Sequence, residues 1–137
     1  MPPFRTSIPV RFGDVDHAGI VYYPQFFIYF HEAFEDFFND SGMSYVRLLD
    51  ELRLGFPTVH LEADYKAPLR YGDRLVLDLS VPHLGTSSVL IRYVGYRERD
   101  GVLCVTCDLT SACVDMKTFS ACPIPDDIRA LFQRVSA

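Results

Sequence analysis

The chain has 137 residues, a length that fits one compact domain spanning 1–137, and 49% of them are hydrophobic, enough to bury a sizeable core. A formal net charge of −5 excludes a broad electrostatic grip on nucleic acid or an anionic membrane. No run of about 18 apolar residues exists to span a bilayer, and Met1-Pro2-Pro3-Phe4-Arg5 lacks the apolar stretch of a signal peptide, so a cytoplasmic protein is expected.

In chain order, Phe4, Thr6, Ile8, Val10 and Phe12 alternate with Arg5, Ser7, Pro9 and Arg11. That is the period of a half-buried strand, with Pro9 marking an edge or a bulge. A loop rich in Gly and Asp follows, from Gly13 to Gly19. Pro24 suits the first turn of a helix, where its missing N–H is not needed. Residues 24–40 then carry Phe26, Phe27, Ile28, Tyr29, Phe30, Ala33, Phe34, Phe37 and Phe38. The first two turns are apolar almost all round, so this helix is expected to be covered by protein on most sides. Gly42 suits its C-terminal stop, and Ser44 suits the cap of a second helix over residues 45–53.

From Val59 the period becomes two. Val59, Leu61, Ala63 and Tyr65 alternate with His60, Glu62, Asp64 and Lys66, a polar face that reads as solvated. Further strands are expected at 75–81, 88–97 and 102–115, with turns at Tyr71-Gly72-Asp73 and Asp100-Gly101, and a last helix from Pro125 to Arg134. Short turns between consecutive strands exclude a parallel sheet. The expectation is an α+β architecture: an antiparallel sheet around one long, buried, aromatic helix, the last four strands forming a meander. With 11 Phe, 8 Tyr and no Trp in so short a chain, some aromatic surface is expected between subunits of a homo-oligomer.

Cys104 and Cys107 form a CxxC. On a strand, residues an odd number apart point to opposite faces, and no second CxxC is present. These thiols, with Cys113 and Cys122, read as small buried hydrophobes that stay reduced in a cytoplasmic chain. No metal and no cofactor are expected.

The stretch that carries chemistry is Phe12-Gly13-Asp14-Val15-Asp16-His17-Ala18-Gly19-Ile20-Val21-Tyr22-Tyr23-Pro24. Asp16 is a carboxylate in a glycine-containing loop just ahead of the aromatic helix. Tyr22 and Tyr23 offer that helix no short side-chain oxygen as a cap. The first N–H groups of a helix have no intrahelical partner, and their aligned dipoles amount to about half a positive charge. Water satisfies them if the end is wet, and a substrate carbonyl does so if the end lines a cleft. Such donors steady the oxygen of a carbonyl under attack, and losing one costs about 10²–10³ in rate.

The run Gly13-Asp14-x-Asp16-x-Ala18-Gly19-Ile20-Val21-Tyr22-Tyr23-Pro24 resembles the 4-hydroxybenzoyl-CoA thioesterase branch of the hotdog superfamily, and the order of strands and helices fits it over most of the chain. The resemblance implies a hotdog fold, a five-stranded antiparallel sheet wrapped around the central helix. It implies hydrolysis of an acyl-CoA, which is a substrate and not a cofactor. An aromatic acyl group is favoured over short or branched ones. By the same resemblance Asp16 is the catalytic carboxylate, as nucleophile or as general base, and the backbone N–H of Tyr23 polarises the thioester carbonyl. Substrate contacts are expected from His17, Gly19, Tyr22 and Phe26. Gly55 and Phe56 are expected to face a neighbour's Asp16, because members act as dimers, often paired into tetramers, with sites at the dimer interface.

The chain departs from that pattern twice. Members that grip CoA phosphates with adjacent basic residues place them where this chain has His83-Leu84-Gly85-Thr86-Ser87-Ser88. Arg92, Arg97 and Arg99 are the nearby basic residues. His31 stands where members often carry an acid, and it reads here as a hydrogen-bonded core histidine. Asp14 reads as a turn residue bonding local backbone, and Glu32 and Glu35 as an exposed or interface-facing edge of the helix. The missing basic run leaves acyl carrier protein open as the acyl donor. A hotdog module that binds acyl-CoA without hydrolysing it is the non-enzymatic alternative.

Overall fold

The computed structural model describes residues 2–136. Strand β1 covers Phe4–Pro9, helix α1 Gln25–Asp40, helix α2 Tyr45–Asp50, β2 Leu54–Gly55, β3 Thr58–Tyr65, β4 Arg74–Leu84, β5 Ser88–Arg97, β6 Leu103–Ala112, β7 Val114–Asp115, β8 Ser120–Ala121 and helix α3 Asp126–Gln133. A five-stranded antiparallel sheet, in the order β1-β4-β5-β6-β3, wraps α1, and β2-β7-β8 form a small second sheet.

The helix is set by its sequence period. Phe26, Tyr29, Phe30, Ala33, Phe34, Phe37 and Phe38 recur at three- and four-residue steps and are all buried. Phe30 stacks on Tyr93 of β5 with ring centroids 4.9 Å apart, and Phe37 stacks on Phe132 of α3 at 5.9 Å. Gly42, at φ +87°, ends α1, and the Met43 N–H returns to the Phe38 carbonyl at 3.2 Å. The Ser44 hydroxyl accepts from the Arg47 N–H and caps α2, which stops at Asp50, short of the expected residue 53.

Helix α1, expected to be covered on most sides, keeps one face open within one chain: Phe27 is 43% exposed and Ile28 51%. The sheet, α2 and α3 pack on the buried stripe of the helix, and the face that carries Phe27 and Ile28 stays exposed. The first strand also ends early. The Arg11 N–H turns to the Asp14 carboxylate (2.9 Å) in place of a neighbouring strand, so residues 12–14 form a 3₁₀ turn and Phe12 is exposed.

The final strands are not a simple meander. β3 pairs with β6 at the far edge, Leu61 opposite Leu109, and not with β4, which follows it. The connecting residues are held elsewhere. The N–H groups of Lys66 and Ala67 share the Cys104 carbonyl, and the Leu69 carbonyl takes the Val21 N–H at 2.8 Å. This crossing ties the sheet to the loop ahead of α1. β6 likewise breaks at Cys113 before β7, splitting the expected 102–115 strand.

Three of the four cysteines are buried, and burial raises the Cys104 thiol and pushes Cys107 and Cys113 up to about 12. Cys107 stands opposite Tyr93 across the β5–β6 pair, while the Cys113 and Cys122 sulfurs lie 3.6 Å apart. Among the described residues no helix is long and apolar enough to cross a membrane.

Gly95 shows how tightly the sheet meets the core. A Cβ there would sit 2.7 Å from Val105 Cγ1 and 2.9 Å from Leu75 Cδ1. Gly95→Ala is expected to destabilise the fold by about 1–3 kcal/mol through overpacking, read as a lower urea midpoint with an unchanged slope.

Candidate active site

The Asp–Gly loop folds as a small hairpin. The Tyr22 N–H bonds the Asp14 carbonyl (3.0 Å), Val15 bridges Val21, and the Asp16 N–H bonds the Ile20 carbonyl (2.9 Å). Gly19 closes the tip at φ +81°, a left-handed conformation that favours glycine, and its N–H returns to the Asp16 carbonyl. The hairpin is docked on the crossing segment through the Ile20–Arg70 bridge and the Val21–Leu69 bond.

Asp16 is exposed at this tip. Its Oδ1 accepts the Ala18 N–H at 2.8 Å, which fixes the carboxylate, and Oδ2 takes no bond from any described residue. Asp14 has the bonding role expected of it and a longer reach. Its Oδ2 accepts both the Arg11 N–H (2.9 Å) and the hydroxyl of buried Tyr29 (2.8 Å), so it pins the hairpin to α1. Burial, then this bond to Asp14, holds the Tyr29 proton well above the ordinary phenol range.

The start of α1 is more closed than a bare helix end. The Gln25 N–H bonds the Tyr22 carbonyl, Phe26 N–H the Tyr23 carbonyl and Phe27 N–H the Pro24 carbonyl. Pro24 has no N–H. The Tyr23 N–H alone in this turn has no acceptor among the described residues. The Tyr23 carbonyl meanwhile accepts the Tyr65 hydroxyl at 3.3 Å.

Two cavities flank α1. A groove of about 380 Å³ is lined by Ile20, Val21, Tyr23, Phe26, Tyr65 and Leu69, among others. A cavity of about 360 Å³ lies one turn further along, between α1 and the sheet, lined by Phe27, His31, Phe34, Phe56, Tyr93 and Ser111, among others. Tyr23 and Phe26 thus share the groove. Asp16, His17 and Gly19 form the exposed hairpin beside its Ile20 wall, and the exposed Tyr22 ring lies 5.2 Å from that of Tyr23.

Gly55 and Phe56 are not brought to this groove within one chain. Phe56 lines the second cavity. Gly55 lines neither: it is buried in β2, where a Cβ would run into the Met116 sulfur, so its lack of a side chain serves the β2–β7 packing. His31 is not a core histidine. Its side chain is 57% exposed, bonds Glu35 one turn on, and borders the second cavity. It lies on the uncovered side of α1, next to Phe27 and Ile28. Glu32 is exposed, yet partial burial and the nearby Asp14 and Asp36 raise its proton affinity. Ser111 and Tyr65 did not stand out in the sequence. Strand alternation was the available signal for Ser111, which shares the helix-facing side of β6 with Cys107 and Leu109.

A family model described as the thioesterase-like superfamily matches residues 10–132. The chain belongs to this superfamily. The thioesterase match contains the whole hairpin and all of α1 and the five-stranded sheet except β1. A 1,4-dihydroxy-2-naphthoyl-CoA hydrolase of Synechococcus elongatus is 30% identical, with 97% of each chain covered. Among solved structures, a thioesterase-superfamily protein of Jannaschia aligns with a TM-score of 0.90 at 28% identity, covering 98% of this chain and 94% of its own. A gentisyl-coenzyme A thioesterase aligns with a TM-score of 0.84 at 29% identity, covering 94% and 99%. The architecture of this thioesterase is the hotdog fold.

Proposed function

We propose that this thioesterase hydrolyses a hydroxylated aromatic acyl-CoA of the 4-hydroxybenzoyl kind, with Asp16 as the reacting carboxylate and the Tyr23 N–H as the oxyanion donor. The observation that carries the reading is the pairing of two unsatisfied groups in one motif. Asp16 keeps one oxygen free on a fixed hairpin, and the Tyr23 N–H is free at the adjoining helix start. The thioester oxygen docks on Tyr23 N–H and gains negative charge as the carbonyl carbon is attacked. Either Asp16 attacks that carbon, giving a mixed anhydride that water then opens, or Asp16 takes a proton from the attacking water. Both routes consume one water, break the carbon–sulfur bond and release a free acid and the CoA thiol.

The aromatic preference rests on the ring-lined cavity, with Phe27, Phe34, Tyr45, Phe56 and Tyr93 as walls and Ser111 and His31 as polar points. The relatives named for 1,4-dihydroxy-2-naphthoyl-CoA and gentisyl-CoA favour the same class. A thiol-release screen over aromatic, short and branched acyl-CoAs tests the reading. It fails if acyl-CoA binds and no thiol appears, the signature of a binding module.

The working unit is a homo-oligomer, a dimer or a dimer of dimers. β3 is an edge strand, Val59 on it is 62% exposed, and the uncovered Phe27 and Ile28 lie on α1. A second copy covering these residues explains the apolar surface and sets Phe56 of one subunit near the hairpin of the other. Sedimentation is expected to show at least a dimer, and Val59→Lys to lower the mass and the activity together. A fully active monomer contradicts this arrangement.

A further inference from the structure

Resting on that reading, we infer that Arg70, with Lys66 on the same crossing segment, binds the pyrophosphate of coenzyme A. The carrier is a polyanion and the chain is net acidic, so binding requires cations placed locally. Arg92, Arg97 and Arg99, which follow the absent basic run in sequence, are already engaged, and Arg129 spends its guanidinium on the Gly85 and Thr86 carbonyls. Arg92 pairs with Asp108 at 2.9 Å, Arg97 with Asp100 at 2.9 Å, and Arg99 with Asp73 at 2.8 Å. Arg97 also donates to the Pro68 carbonyl.

Arg70 differs from all four. Its backbone is fixed, with its N–H on the Asp73 carboxylate at 2.9 Å and a bridge to Ile20 of the hairpin. Its guanidinium makes no hydrogen bond or ion pair with any described residue. The one acid close in sequence, Asp73, is taken by Arg99 and by the Arg70 N–H itself. The Arg70 head lies against the motif: Nη1 is 3.9 Å from where a Cβ on Gly19 would stand. Lys66, exposed and likewise without a carboxylate partner, lines the groove that holds Tyr23. One crossing segment therefore supplies a wall of the Tyr23 groove and two uncommitted cations, Lys66 lining the groove and Arg70 against the Gly19 tip. A guanidinium suits a pyrophosphate because its planar donors meet two oxygens at once.

The test compares one aromatic acyl group on CoA, on pantetheine and on 4′-phosphopantetheine. In Arg70→Ala the KM for acyl-CoA is expected to rise about tenfold or more relative to that for acyl-pantetheine, the usual size for a lost charge-assisted bond, and the excess should fade in high salt. Arg70→Lys should recover part of the loss. An equal KM rise on CoA and pantetheine overturns the inference, because Arg70 then only supports the hairpin. An unchanged KM ratio also overturns it. A full penalty on acyl-4′-phosphopantetheine places the contact on the phosphate that carrier proteins share, and overturns the assignment to CoA. If wild type hydrolyses no acyl-CoA, the functional reading falls first, and that result is distinct from all of these.

Discussion

Asp16→Asn is expected to bind acyl-CoA nearly as wild type does and to lose about 10²–10⁴-fold in turnover, the range for removing a positioned acid–base group. The substitution is gentle on structure. Asparagine keeps an oxygen for the Ala18 N–H that Asp16 Oδ1 now holds at 2.8 Å, and the side chain is exposed at the hairpin tip. What disappears is the charge and the free oxygen. The loss should therefore appear in kcat, with the thermal midpoint and the dissociation constant for a non-hydrolysable analogue close to wild type. A variant that keeps a tenth or more of wild-type turnover removes Asp16 from the chemistry. A variant that loses affinity along with rate turns it into a binding residue.

The second large effect concerns a backbone atom. Tyr23→Pro deletes the N–H that has no acceptor among the described residues, so little folding stability depends on it. Tyr23→Ala is the control. Both variants lose the ring that meets Tyr22 at 5.2 Å and Tyr65 at 6.4 Å, but alanine keeps the donor. The proline variant is expected to fall about 10²–10³-fold below the alanine variant in kcat, the cost of one oxyanion donor. Circular dichroism melts of both variants check that the helix still forms. Equal activities would show that the carbonyl is held elsewhere.

Where the chain was readable, periodicity made it so. The apolar steps of α1, the alternation along β4 and β5 and the Asp-Gly turn are local signals, and each element formed where its signal lay. The hairpin of residues 14–22 was readable as a motif but not as a shape, because it is held by Leu69 and Arg70 of the crossing segment and by Tyr29 on the helix. The placement of β3 was hidden because strand alternation says which face is buried and nothing about which neighbour pairs with it. The close packing at Gly55 was hidden too, since the Met116 side chain that meets it comes from far along the chain. His31 looked like core because it sits among phenylalanines, yet the side of α1 it occupies is left bare by this chain alone. The free state of Arg70 was invisible in sequence. It follows from which aspartates the other arginines reach.

The crossing that carries β3 to the far edge also shapes how the molecule must assemble. Phe4 pairs with Leu79, and Thr58 with Ser111, so neither edge of the sheet can form until its distant partner exists. At a synthesis rate of about 5–20 residues per second, the aromatic stripe of α1 emerges roughly several seconds before β6 is made. Until β4 and β5 follow, that aromatic stripe has no sheet to lie on, and the β3 edge has no partner until β6 exists. A nascent chain stalled after β3 should therefore bind a hydrophobic-surface dye and engage holding chaperones, and one released after β6 should not. Slow folding is built into this sheet order, because its pairings are long in sequence and the loops they close must be ordered first.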